Sequence, residues 1–257
     1  MLPLARLQEY LRFKAGQHHE VVSLLPFHLF FHETDKSAES NYALVNEPGG
    51  EALQVSLKQL QTLFTERHRI PRLQFVEEAC TQLVPVLRSS GWREQERSLV
   101  MLCTTQTYQS APHVSGLTII TLSQTSSLEE ICEGLNANAL GFDSQAQPAT
   151  MQEAEEFRRD LILSRAFTAR LNGQMAGAGM FTDIHEGMTE LVGIATLEAF
   201  RRQGIATALT AFMTQTAFRQ GATWVFLIAA NEQAGRVYER VGFRPQATFV
   251  VYEKPPS

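Results

Sequence analysis

An α/β fold is expected, a mixed central sheet flanked by helices, with a partial second copy of the same unit at the N-terminus. Three observations predict it. Stretches rich in β-branched and aromatic residues alternate with stretches of helical periodicity throughout the second half. The dipeptide Asn172-Gly173 separates two such strands as a hairpin turn. The end of the chain also repeats an earlier segment at a constant separation of 151 positions, which lays Phe226 on Phe75, Gly242 on Gly91, Phe243 on Trp92, Arg244 on Arg93, Val250 on Leu99 and Val251 on Val100. A helix that closes on glycine before a strand produces part of such a match by itself, but a real repeat is the preferred reading.

In chain order, leucines at helical spacing among Arg6, Glu9 and Arg12 make the first 14 residues an amphipathic helix, without the continuous apolar centre of a secretory signal. Strands follow around Val21 to Phe31 and Tyr42 to Val45. Then come a helix over Glu51 to Arg67, a strand at Leu73 to Val76, a helix at Cys80 to Ser89 and a strand at Ser98 to Thr104. The segment Gln109 to Gly116, with Ser110, Pro112 and Ser115, has loop composition and sets a domain boundary, 1–111 and 112–257. Beyond it the order is strand Leu117 to Leu122, helices Ser127 to Ala139 and Met151 to Leu163, and the hairpin. A turn at His185 to Gly187 leads into strand Thr189 to Thr196. Helix Gln203 to Arg219, strand Trp224 to Ala230, helix Gln233 to Val241 ending at Gly242, and strand Thr248 to Glu253 complete the chain.

At 257 residues, two modest domains are the natural division. Lys and Arg number 22 against 27 Asp and Glu, a formal charge of −5 with no block of like charge, so nucleic acid is not an expected partner. The longest apolar runs fall far short of a bilayer span, so no membrane is expected either. Three separated cysteines, Cys80, Cys103 and Cys132, fit buried thiols in a reducing cytoplasm. No CxxC or Cys/His cluster points to a metal.

The chemistry concentrates in Glu190-Leu-Val-Gly-Ile-Ala-Thr-Leu-Glu-Ala-Phe-Arg201-Arg-Gln-Gly204-Ile-Ala206, a strand followed by a basic turn that opens a helix. The first amides of a helix have no intrahelical acceptor and stand at the positive end of its dipole, so such a turn holds anions, a pyrophosphate above all. Gly204 and Ala206 let phosphate approach the backbone. Arg201 and Arg202 add positive charge that can pair with it.

The spacing Arg201-x-x-Gly204-x-Ala206 after a strand resembles the pyrophosphate motif of the GNAT superfamily of acyl-CoA-dependent N-acetyltransferases. Downstream, Asn231, Ala234, Tyr238 and Gly242-Phe243 resemble the family's second signature, a helix carrying Asn and Tyr that ends in Gly-Phe. The resemblance covers roughly residues 115 to 257. It implies acetyl-CoA as co-substrate, without a metal, with its pantetheine arm along Ile194, Ala195 and Thr196 between two splayed strands. It implies a pyrophosphate cradle at Arg201, Arg202, Gln203, Gly204, Ile205, Ala206 and Thr207, and places Asn231 and Tyr238 near the thioester. Tyr238 is the implied general acid for the departing thiolate, its alternative role being an aromatic that packs helix on sheet. A backbone amide, Ile194 being the candidate, is the implied oxyanion donor.

The attacking amine must lose a proton. Glu190, 11 residues before Arg201, is the first candidate base; Glu186, His185 or a chain of waters are alternatives. The acceptor is expected to be a small-molecule primary amine, with protein N-termini or lysines as the other option. Asn138 to Ala149, including Phe142 and Asp143, and the turn Asp183 to Gly187 would shape its pocket. A non-catalytic module that senses acyl-CoA or engages a protein is the rival from another class. Gly177-Ala-Gly179 begins a dinucleotide fingerprint that Thr182 breaks, and its small residues read as room for a neighbour. His18, His19, His28 and His32 are assigned no role.

The first half reads as a degenerate copy. The offset puts Cys80 under Asn231 and Leu87 under Tyr238, and the turn Glu47 to Glu51 offers acids where phosphate needs positive charge. Its expected work is to pack against the second domain, extend the sheet, and shape an acceptor wall or a homodimer contact.

Overall fold

The computed structural model describes residues 4–46, 53–161 and 165–255. The turn at Glu47 to Glu51 and the end of the helix expected to reach Leu163 lie outside the described residues. In chain order the elements are α1 (Leu4–Gly16), β1 (Glu20–Leu24), β2 (Phe27–Phe31), β3 (Asn41–Val45), α2 (Leu53–Glu66), β4 (Arg72–Val76), α3 (Leu83–Ser89) and β5 (Arg93–Thr104). They continue with β6 (Leu117–Leu122), α4 (Leu128–Phe142), α5 (Met151–Asp160), β7 (Arg165–Leu171), β8 (Gln174–Phe181), β9 (Met188–Thr196), α6 (Ile205–Arg219), β10 (Trp224–Ala229), α7 (Glu232–Glu239) and β11 (Arg244–Glu253). Short 3₁₀ turns occupy Glu77–Ala79 and Glu198–Phe200.

Several expected boundaries shift for local reasons. The single strand expected at Val21 to Phe31 is a hairpin, β1 and β2, because Pro26 has no amide for a ladder and sits in the turn. The helix expected from Cys80 starts at Leu83, after the 3₁₀ turn. The helix expected from Gln203 starts at Ile205, because Gly204 is left-handed (φ +81°) and caps it. Ser127 and Thr150 are the N-caps of α4 and α5, each closing a capping box with Glu130 and Glu153.

The chain forms two compact units, one of Met1–Val100 with Pro245–Ser257, the other of Met101–Arg244. In the first, the strand order is β1-β2-β3-β4-β11-β5. Strand β3 runs parallel to β4, Ala43 facing Leu73, and β11 runs antiparallel to β4, from Phe249 on Val76 to Glu253 on Arg72. Leu57, Leu60 and Phe64 of α2 and Leu87 of α3 bury against Phe27, Leu73, Phe75 and Tyr252. Each such side chain contributes about 1.5–3 kcal/mol by leaving water.

In the second unit the order is β5-β10-β9-β8-β7-β6, antiparallel from β6 to β9, with β9 and β10 parallel. Leu209 and Met213 of α6 cover one face with Phe167, Phe181, Leu191 and Leu227. Ile131 of α4 and Ala154 of α5 cover the other with Leu122 and Ala166. On β8 the small residues do make room: a Cβ on Gly177 would stand 2.5 Å from the Ala195 carbonyl oxygen. The three cysteines are buried free thiols, and burial pushes that of Cys103 up to about 11.

The repeat is visible in three dimensions. From α2 to β5, each helix and strand starts at most two residues from the point 151 positions before the start of its counterpart in α6, β10, α7 or β11. The closing strands are exchanged: β11 follows β10 in sequence yet lies beside β4, while β5 follows β4 and lies beside β10.

Two stability predictions arise here. Gly242, which ends α7, has φ +96°, and a Cβ on it would stand 1.9 Å from the Thr107 carbonyl oxygen, a backbone atom that cannot swing away. Gly242→Ala is expected to destabilise the protein by about 3 kcal/mol or more. At the equivalent Gly91 (φ +75°) the obstacle is the flexible end of Lys254, so Gly91→Ala should cost about 1 kcal/mol. Urea denaturation of the two variants checks the difference.

The second concerns acid. The Glu94 carboxylate accepts from Arg97 Nε at 2.8 Å, from Tyr252 Oη at 2.6 Å and from Arg88 Nη2 at 3.2 Å. These bonds, Arg97's first, hold the Glu94 carboxyl down at about 2. A depressed carboxylate stabilises the fold above its unfolded value of about 4.3 and loses that contribution as pH falls toward the folded value. Thermal midpoints should therefore differ between wild type and Glu94→Gln at pH 6 and converge between about pH 4 and 2.

Candidate active site

Strands β9 and β10 pair only at Met188–Trp224, Thr189–Val225 and Glu190–Phe226. Beyond Glu190 the edge of β9 that faces away from β8 has no ladder partner, and a cleft of about 540 Å³ opens there. On the other edge a bulge interrupts the ladder with β8. Ala178 faces Ala195 and Met180 faces Val192, so Gly193 and Ile194 together oppose Gly179. Gly193 has φ +62°, and its carbonyl accepts a 2.5 Å bond from Asn138 Nδ2 of α4.

The cleft brings together most of the residues singled out above. Glu190, Ile194, Ala195, Thr196, Arg201, Ala206, Asn231 and Tyr238 all line it. Glu190 stands at the vertex where the strands part, 4% exposed. Pairing across β8 puts Glu190, Val192 and Ala195 on the sheet face that α4 covers. Ile194 packs on the side of α6. The Thr196 hydroxyl oxygen is buried with no hydrogen-bond partner among the described residues, an open valence in the cleft wall.

Tyr238 sits on the inner face of α7, its ring in edge contact with Phe243 at 6.3 Å. Burial raises its pKa above the ordinary 10, because the phenolate would lose solvation there, so the hydroxyl is protonated at neutral pH. Among the described residues it has no hydrogen-bond partner. Asn231 is the N-cap of α7, its Oδ1 accepting from the Ala234 amide at 2.9 Å.

The basic turn divides its labour. Arg201, Arg202, Gln203 and Gly204 are exposed, whereas the side chains of Ile205 and Thr207 are buried in the core. What Ile205, Ala206 and Thr207 present is the open amides of the first turn of α6, and no acidic residue stands in that turn. Arg201 donates Nε to the Thr196 carbonyl and Nη2 to the Gly141 carbonyl, both at 3.2 Å. It therefore ties the end of β9 to the end of α4 at the cleft mouth, a role that spacing alone does not reveal.

Of the acceptor-pocket candidates, Phe142 lines the cleft, 69% exposed. Asp143, His185 and Glu186 do not line it. Asp143 instead accepts from the Gln145 amide at 2.9 Å in a turn. The cleft also uses Gly193, Ile228 and Val237, which sequence reasoning did not single out. The left-handed glycine within the strand is the one signal that could have marked the bulge.

In the first unit the same place is closed. The 151-position offset carries Thr196, Asn231 and Ala234 onto Val45, Cys80 and Leu83, which line a cavity of only about 90 Å³. Helix α1 packs onto β3 and β4 beside it with Leu7, Tyr10 and Leu11 buried. Its Arg12 donates to the Val45 carbonyl at 3.1 Å, as Arg201 does to that of Thr196, and its Gln8 reaches Cys80 Sγ at 3.4 Å.

No curated protein sequence matches the chain. Among solved structures it is similar to a GCN5-related N-acetyltransferase from Kribbella flavida, at 25% identity over 100% of this chain and 97% of that one, with a TM-score of 0.84. A GCN5-related N-acetyltransferase from Sphaerobacter thermophilus shares the fold at 18% identity, covering 90% and 78% of the two chains, TM-score 0.68. A tandem GNAT protein from the clavulanic acid biosynthesis pathway does so at 15%, covering 90% and 79%, TM-score 0.66. The family described as Acetyltransferase (GNAT) matches residues 128–243, from the start of α4 to the Gly-Phe pair after α7. With the splayed strands, the open helix start and these likenesses in hand, residues 128–243 match the GNAT acetyltransferase family, in a chain that has the fold of a GCN5-related N-acetyltransferase.

Proposed function

We propose that the protein transfers the acetyl group of acetyl-CoA to a primary amine of a small molecule, by direct attack in a ternary complex within 112–257. The observation that carries this reading is the cleft between β9 and β10, with Glu190 at its vertex, Tyr238 on one wall and the open amides of α6 at one end. The pyrophosphate meets the amides of Ile205, Ala206 and Thr207 and the charge of Arg202, with Gln203 and Gly204 completing the turn. The pantetheine arm runs along the unpaired edge of Ile194 to Thr196, and Asn231 borders it at the start of α7.

Glu190 takes a proton from the ammonium, whose nitrogen then forms a C–N bond to the thioester carbonyl carbon. The Ile194 amide at the bulge stabilises the oxyanion. As the C–S bond breaks, the thiolate takes the proton of Tyr238, the tyrosinate is reprotonated by the second proton that the amide nitrogen sheds, and Glu190 releases its proton to solvent. Phe142 borders the acceptor side, and its exposed ring suits an acceptor with an apolar or planar part.

Calorimetric titration with acetyl-CoA, followed by an amine screen that detects released CoA thiol, tests the proposal. Binding and turnover with a small amine support it. A folded protein that binds no acetyl-CoA would refute it, and binding without turnover would move the assignment to an acyl-CoA sensor.

A further inference from the structure

A second cavity, of about 80 Å³, lies between α4, α5 and the sheet. It shares Gly193 with the cleft as a common wall. Its other walls are mainly apolar: Leu122, Leu135, Phe157, Ala166, Ala178 and Met180. The polar side chain in its lining is Asn138, whose amide nitrogen is committed to the Gly193 carbonyl at 2.5 Å. A cavity with such walls gives water too few partners, and one of roughly 150 Å³ suffices for benzene. This one has about half that volume, room for a chain of roughly three carbons.

Its position says which molecule supplies them. The chamber lies on the same sheet face as Glu190 and Val192, and its shared wall is the bulge residue next to Ile194. Gly193 carries no side chain to stand between chamber and cleft; a Cβ there would lie 2.9 Å from Asn138 Nδ2. A thioester whose carbonyl oxygen meets the amide at this bulge has its next carbons beside Gly193.

We propose that this chamber receives the alkyl part of the acyl group, so that the protein accepts short acyl-CoA chains beyond acetyl, propionyl and butyryl above all. The inference rests on the acyl-CoA reading of the cleft. It makes Gly193 and Asn138 the border between reacting carbonyl and alkyl pocket, and Ala178 and Leu135 the residues that set chain length. Ala178 is buried on the sheet floor, whereas Leu135 lies half-buried on α4.

Calorimetry on the full chain with CoA, acetyl-, propionyl-, butyryl- and octanoyl-CoA tests this without an identified acceptor. Each methylene that leaves water for an apolar wall tightens binding about fourfold. Butyryl-CoA, with two more methylenes, is therefore expected to bind about sixteenfold tighter than acetyl-CoA, and octanoyl-CoA no tighter than butyryl-CoA. Ala178→Leu, which fills the floor, should abolish the butyryl gain and leave affinity for CoA and acetyl-CoA unchanged. Leu135→Trp, at the more accessible edge, gives the same readout should Ala178→Leu fail to fold. Flat affinities from acetyl to butyryl in wild type, or a butyryl gain that survives filling of the chamber, would overturn the assignment. Failure of CoA and acetyl-CoA to bind at all would instead remove the acyl-CoA reading beneath it.

Discussion

Gly204→Asp is expected to weaken acetyl-CoA binding by a hundredfold or more while the protein stays folded. Gly204 holds a left-handed conformation at the start of α6 (φ +81°), with the first amides of the helix open beside it. A carboxylate placed there confronts the pyrophosphate directly, and two like charges about 4 Å apart repel by roughly 4 kcal/mol at an effective dielectric constant of 20. Aspartate tolerates the left-handed region better than most residues, so the strain in the free protein is of order 1 kcal/mol. A Cβ at this position meets Val114 Cγ2 at 3.3 Å, tight but against a side-chain methyl. Gly204→Asn carries the same shape, strain and contact without the charge. Calorimetry should show that Gly204→Asn retains most of the affinity and Gly204→Asp does not. Equal losses would show that glycine serves the turn's conformation rather than an anion, and the cradle assignment would fall.

The basic turn that opens α6 was legible in the sequence because its parts are local. A basic turn, a glycine and a helix start follow one another within seven residues, and the physics of open amides needs nothing from elsewhere. The placing of Asn231 and Tyr238 on α7 was legible for the same reason, their spacing to Gly242-Phe243 being set within one helix. What escaped depends on contacts far apart in the chain. The tie from Arg201 to the Gly141 carbonyl, sixty positions away in α4, is one such contact. Asn138 shows no purpose until the bulge presents a carbonyl to it. The exchange of β5 and β11 leaves no mark, since both strands start polar and end in a similar buried apolar run that either neighbour would accept. The pairing of the two halves at 151 positions was readable from a few apolar and glycine positions. The packing of α1 over the first half's version of the cleft was not, because an amphipathic helix does not announce which groove it covers.

Tyr238→Phe is expected to lower kcat about a hundredfold at pH 7, within the range typical of a lost general acid, while affinity for acetyl-CoA changes by less than about twofold. The substitution keeps the ring and with it the edge contact to Phe243, so the fold and the cleft wall persist. Only the hydroxyl is removed. Burial holds that hydroxyl's pKa above 10, which makes it a weaker acid but keeps it fully protonated over the working range. The sign for the pH profile follows: the active form is the protonated one, so wild-type kcat should show no descending limb from this group below pH 10. If Tyr238 instead only packs α7 on the sheet, the phenylalanine variant does the same work and kcat is unchanged. The comparison needs an accepting amine, and the substitution should then reduce turnover by a similar factor for every amine, because the proton goes to the departing thiolate and not to the acceptor. A loss that varies widely from amine to amine would place Tyr238 in acceptor recognition and leave the thiolate to be protonated by water.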